Sequence, residues 1–290
     1  MLGAIIGDIA GSSYEVLELN SKKNKEKRSY EERIKILDKD TPLFNDESCC
    51  TDDSILTCAI YDAIVNGDCE YEKYLKEYGI KEVANGKDDF GRGRFGPRFI
   101  EWLKGNCDGD SYGNGAAMRV SPVGYLFDNI EDVKKNAYLA TIPSHNTPEA
   151  IKGAEAVAVS IYMLRCGYDK EEVIRYIKMH YYDLDFNLED LQKNYTFSSR
   201  TNNSVPQALF VFGESEDFED AIRKAISIGG DSDTIACIVG ALSEEYYGIS
   251  KKLKEKVKPL LKDYIYDLLK DRYYEEKIDE KNSRKIKILQ

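Results

Sequence analysis

The sequence predicts an all-α protein, a single compact orthogonal helical bundle. Three observations carry that prediction. Apolar residues recur at helical spacing in several long stretches. Capping residues and glycines stand where those stretches begin and end. Alternating patterns long enough for a useful strand are missing.

In chain order, the first element is "MLGAIIGDIAGSSYE", an apolar run interrupted by Asp8. Gly3, Gly7 and Gly11 recur every fourth residue, so a helix here presents a bare stripe against which another backbone can sit. The run lacks a basic leading segment and carries an acid, which makes it a poor signal peptide. Residues 20–33, "NSKKNKEKRSYEER", have no apolar face and read as a solvated loop or helix end. "DDSILTCAIYDAIVNG" places Ile55, Leu56, Ala59, Ile60, Ala63 and Ile64 on one face, with Gly67 as its stop. "TPEAIKGAEAVAVSIYMLRCG" repeats the spacing with Ile151, Ala154, Val157, Ala158, Ile161 and Leu164. Thr147 is its expected N-cap, and Pro148 suits the first helical position. Residues 183–204 are polar and rich in Asn and Ser, and read as a long surface excursion. "EDFEDAIRKAISIGG" is amphipathic. The run through Ile235, Ile238, Val239 and Leu242 ends at Gly248. Ser250–Leu269 is a further amphipathic candidate, and residues 270–290 read as a peripheral helix and tail. No composition shift marks a boundary, so residues 1–290 are expected to form one domain.

Bulk properties narrow the function. A net charge of −11 argues against direct nucleic-acid binding. Two histidines argue against a His-rich zinc or iron site. Seven cysteines without a CxxC pair suggest reduced thiols and a cytoplasmic protein. No apolar run approaches the roughly 18 residues of a membrane span.

The chemistry concentrates at two helix mouths. Thr51, Asp52 and Asp53 open one apolar helix, and Asp231, Asp233 and Thr234 open another. If the mouths face each other, four carboxylates and two hydroxyls form an all-oxygen shell suited to Mg²⁺, Mn²⁺ or Ca²⁺, with room for two ions. Two separately capped helices that never meet satisfy the same pattern. A third stretch, "SYGNGAAMRVSPVG", sets Gly113 and Gly115 around Asn114, so its backbone can offer N–H groups to a phosphate, with Arg119 following. "FGRGRFGPRF" is another Gly- and Arg-rich loop, with Phe95 as a stacking surface. Glu15 and His145 are candidate acid–base groups that pattern alone does not distinguish from a solvated acid and a packing residue.

"GAIIGDIAGSSYE", "TDDSILTCA", "SYGNGAAMRVSPVG", "SHNTPEAIKGAEAVA" and "GGDSDTIACIVGALSEEYYG" together resemble the ADP-ribosylglycohydrolase family, in the family's order and across most of the chain. The resemblance implies a nearly all-helical fold around a centre of two Mg²⁺ or Mn²⁺ ions in a cleft. By resemblance, Thr51, Asp52, Asp53, Asp231, Asp233 and Thr234 are the metal ligands. Glu15 matches the acid that serine-specific relatives place beside the metals, with Asp53 and Asp231 as further catalytic groups. Ser111, Tyr112, Gly113, Asn114 and Gly115 match the loop that cradles the diphosphate and distal ribose. His145 lies toward the adenosine side, Gly93 and Phe95 lie on substrate-flanking loops, and Arg119 is expected on the diphosphate.

The implied reaction cleaves the bond from the anomeric carbon of ADP-ribose to an acceptor through an oxocarbenium-like transition state. An arginine-like acceptor is favoured over serine. The expected partner is an ADP-ribosylated protein or a small ADP-ribose conjugate, met by a monomer. A non-catalytic ADP-ribose-binding protein, a crystallin-like structural relative and a dinuclear-metal phosphohydrolase are the alternatives.

Overall fold

The computed structural model describes residues 1–24, 28–86 and 95–275, the side chains of 16–24 excepted. In chain order the helices are α1 Leu2–Asn24, α2 Tyr30–Ile34, α3 Asp52–Val65, α4 Tyr71–Ala84, α5 Pro97–Leu103, α6 Gly115–Arg119, α7 Ser121–Leu126 and α8 Ile130–His145. They continue as α9 Pro148–Arg165, α10 Lys170–His180, α11 Leu188–Asn194, α12 Val205–Gly213, α13 Phe218–Ser227, α14 Ser232–Tyr247, α15 Lys251–Val257 and α16 Asp263–Tyr273. Among the described residues, β structure is confined to two isolated bridges, Asp110 with His145 and Gly113 with Arg200. None of the described helices is long and apolar enough to cross a membrane.

The expected all-α class is what the described residues show, and the expected caps are in place. Thr147 accepts a hydrogen bond from the Ala150 N–H at the start of α9, with Pro148 beside it. Such a cap contributes about 1 kcal/mol. Gly67 and Gly248 follow α3 and α14 in left-handed φ of +80° and +73°, which a side chain would resist.

Periodicity understates how central three helices are. α3 is buried at every position from Asp53 to Ile60, α14 from Ser232 to Ser243, and α9 nearly so, because neighbours surround each of them. The glycine stripe explains how α14 is reached. α1 lies along it so closely that a Cβ at Gly3, Gly7 or Gly11 would collide with the carbonyls of Gly240, Ala236 or Ser232. Small residues on both sides replace side-chain interdigitation with backbone contact.

Three sequence expectations need correction. Of residues 20–33, read as a solvated loop or helix end, 20–24 do end α1 and 25–27 lie outside the described residues, but 28–33 are not simply solvated. Ser29 and Glu32 form a capping box on α2, and Arg33 is buried, its Nη1 donating to the carbonyls of Gln192, Tyr195 and Ile228. Residues 183–204 are not a plain surface excursion. They contain α11 and bury Leu184, Gln192, Thr201 and Ser204, held by hydrogen bonds that a hydropathy pattern does not register. Ser250–Leu269 is broken by the turn around Pro259, which lacks the N–H a continuous helix needs. The tail beyond residue 275 lies outside the described residues.

Candidate active site

Both helix mouths open onto the same place. Thr51 is the N-cap of α3, its Oγ1 accepting from the Asp53 N–H at 3.3 Å. Thr234, in the first turn of α14, donates its hydroxyl to Asp53 Oδ2 at 3.3 Å and so ties the two mouths together. Asp231 holds the N-cap position of α14 without making a cap bond. Its Oδ2 accepts from Asn114 Nδ2 at 2.8 Å instead. Asp233 Oδ1 accepts from the Thr234 N–H at 2.8 Å.

The carboxylates gather in two groups that share Asp233. Asp8, Asp53 and Asp233 bring one oxygen each within 4.8 Å of one another, and Glu15, Asp231 and Asp233 do the same. Asp8 and Glu15 stand seven residues apart on α1, two helical turns, so both reach the cluster from one face. Glu15 is half-buried, whereas the other members of the two groups are buried.

Crowding and burial disturb these acids strongly. Burial first, then the charges of Asp8 and Asp52, hold Asp53 well above the ordinary carboxylate range. Asp233 is raised by burial and then by Glu15 and Asp53. Asp52 is pushed up to about 7 by burial and by Asp8. Asp53 Oδ1 is buried without a hydrogen-bond partner. An all-oxygen donor set, excess negative charge and an orphaned carboxylate oxygen together fit a divalent cation.

Next to the cluster, residues 111–115 lead into α6. The Gly113 N–H is taken by Ser111 Oγ at 3.1 Å and the Asn114 N–H by Ser199 O at 2.9 Å, so these two groups do not form the open nest the sequence suggested. The glycines answer to close approach instead. A Cβ at Gly115 would stand 3.0 Å from His145 Nε2. Thr201 Oγ1 donates to the carbonyls of Tyr112 and Gly113, fastening the loop from the other side. Tyr112 is half-exposed, with the Arg200 guanidinium 4.5 Å from its ring centroid and Arg200 paired to Glu149 at 3.0 Å.

Arg119 and Phe95 do not sit where the sequence placed them. Arg119 is wholly buried, donating from Nη2 to Ala140 O at 3.0 Å and to Ser144 Oγ at 2.8 Å while Nε and Nη1 are buried without partners, so it presents no exposed group to a diphosphate. Ser144 Oγ in turn lies 2.8 Å from His145 Nδ1. Arg119 can only donate, so the serine proton is free to go to Nδ1, which leaves the histidine hydrogen on Nε2 facing Gly115. Burial and the Arg119 charge keep His145 well below its usual pKa and therefore neutral. Phe95 is buried against Phe99, with centroids 5.1 Å apart, rather than offered to a ligand. Gly93 lies outside the described residues.

Sequence reasoning missed Asp8, Ser199 and Thr201. A lone acid inside an apolar helical run was the available signal for Asp8. The other two have none, because they act through distant backbone partners.

Comparison with known proteins shows the family. A family model described as ADP-ribosylglycohydrolase matches residues 1–283. Human ADP-ribosylhydrolase ARH3 is 25% identical over 187 residues, covering 49% of this chain and 52% of its own length, so the chain spans about half of that relative. The ADP-ribosylarginine hydrolase Tri1 of Pseudomonas putida is 23% identical over 272 residues, covering 86% of this chain and 70% of its own. A solved structure described as an ADP-ribosylglycohydrolase-related protein complex shares the fold at a TM-score of 0.60 with 18% identity, over 88% of this chain and 90% of that one. The chain belongs to the ADP-ribosylglycohydrolase family.

Proposed function

We propose that this protein hydrolyses the bond between the anomeric carbon of ADP-ribose and an acceptor, releasing ADP-ribose, with two divalent cations held by Thr51, Asp52, Asp53, Asp231, Asp233 and Thr234. The observation that carries the proposal is the convergence of both helix mouths on carboxylates that burial and mutual repulsion leave unbalanced. Bound there, Mg²⁺ or Mn²⁺ would supply positive charge to the ribose hydroxyls and make a water more acidic.

The chain's own residues do the rest. Glu15, half-buried beside Asp231 and Asp233, accepts the proton of the attacking water. Asn114 holds Asp231 in place through its amide. The loop around Tyr112 and Gly115, with neutral His145 behind it, seats the nucleotide. Arg119 acts through Ser144 and His145 rather than on the diphosphate. An arginine-like acceptor is favoured, supported by the Pseudomonas relative named for ADP-ribosylarginine and by the acidic surroundings of Glu15, which suit a cationic leaving group.

Hydrolysis of ADP-ribosyl-arginine and ADP-ribosyl-serine peptides, with Mg²⁺, Mn²⁺ or chelator and products resolved by mass, tests the reading. Metal-dependent release of intact ADP-ribose is the expected result. AMP with ribose phosphate would mean a phosphohydrolase, and ADP-ribose binding without release would mean a binding protein.

A further inference from the structure

Asp8 is wholly buried, yet every hydrogen bond it makes is one it accepts. Its Oδ2 receives the N–H of Thr51 at 2.9 Å, the N–H of Ser54 at 3.1 Å and the Ser54 hydroxyl. Its Oδ1 receives the Thr51 hydroxyl at 2.6 Å. Two of these donors are backbone groups at the start of α3, one on its N-cap and one in its first turn, where N–H groups lack helical partners. Asp8 thus caps α3 from another helix.

The Thr51 hydroxyl has one proton and two lone pairs. Two carboxylates lie within its reach, Asp8 Oδ1 at 2.6 Å and Asp53 Oδ2 at 3.3 Å. The shorter contact takes the proton. One lone pair of Oγ1 then accepts the Asp53 N–H, and the other is left for a cation. An asparagine at this position would turn an NH₂ group toward donors and release the Thr51 proton to Asp53, spoiling two ligands at once.

We propose that Asp8 is a positioning residue for the metal centre. By taking the Thr51 proton it makes Thr51 Oγ1 an acceptor-only oxygen, and by capping α3 it holds Thr51, Asp52 and Asp53 in register. This rests on the metal-dependent reading above.

Mn²⁺ titration of the full chain, by calorimetry and by the electron paramagnetic resonance spectrum of the bound ion, tests it. Asp8→Asn is expected to weaken Mn²⁺ binding roughly 10–100-fold, the range for outer partners of metal ligands, and Thr51→Val, which removes a ligand, at least as much. The double variant is expected to lose less than the product of the two single losses, because both changes remove the same lone pair while the α3 cap is lost only with Asp8. Unchanged affinity in Asp8→Asn, or losses that multiply in the double variant, would overturn the proposal. If Asp8→Asn does not fold, Thr51→Ser and Thr51→Val decide. The variant that keeps a hydroxyl for Asp8 must keep the affinity, and equal affinities overturn the proposal. Absence of Mn²⁺ binding by the unaltered protein is a distinct result, which removes the metal reading and this proposal with it.

Discussion

Asp231 stands at the N-cap of α14, where an aspartate ordinarily caps, and makes no cap bond. Its carboxylate is bound to Asn114 and grouped with Glu15 and Asp233. Asp231→Asn should therefore leave the helical content intact and weaken Mn²⁺ binding beyond the roughly 10–100-fold typical of outer partners. Circular dichroism with Mn²⁺ titration checks it. Glu15→Gln should retain ADP-ribose affinity by calorimetry and lose about 10²–10⁴ in kcat. The raised carboxylates also set a pH dependence. A carboxyl whose folded pKa exceeds its unfolded value binds more protons when folded, so its stabilisation is largest at low pH and fades as pH rises through the folded value. For Asp52 that window runs from 3.8 to about 7. Chelated protein should lose melting temperature as pH rises from about 4 to about 7, and the gain on adding Mn²⁺ should widen over the same range, because the ligands must be deprotonated.

At the scale of elements, α1 and α14 meet backbone to backbone. Gly7→Ala would force a methyl into the Ala236 carbonyl, an overpacking expected to cost about 1–3 kcal/mol in chemical denaturation. Arg33 joins three segments. It binds the carbonyls of Gln192, Tyr195 and Ile228, and its guanidinium fills the space beside Gly229, just before the Asp231 mouth. Tyr195 packs on Gly230, and the same stretch continues to Ser199 and Thr201, which hold the 111–115 loop. Arg33→Met should cost on the order of 3 kcal/mol by leaving carbonyls short of a donor, and should raise the Kd for ADP-ribose. Urea unfolding and calorimetry separate the two effects.

Across the whole molecule, apolar spacing with capping chemistry determined the helical class, the ends of α3, α9 and α14, and the glycine stripe, because these depend on residues close in sequence. The two acidic mouths and the Gly-Asn-Gly loop were legible as motifs for the same reason, and the ordered set of motifs identified the family. Whether the mouths meet was not legible. The Thr234 bond to Asp53 spans 181 residues, and no local period encodes it. Tertiary structure alone brought Asp8 and Glu15 beside Asp233, buried Arg119 and Phe95, and turned polar segments near residues 33 and 200 into supports for the site. Those segments join it through side-chain bonds to remote carbonyls, for which hydrophobic patterning has no term. Local sequence thus determined which elements form, while only long-range packing decided which polar groups share a site.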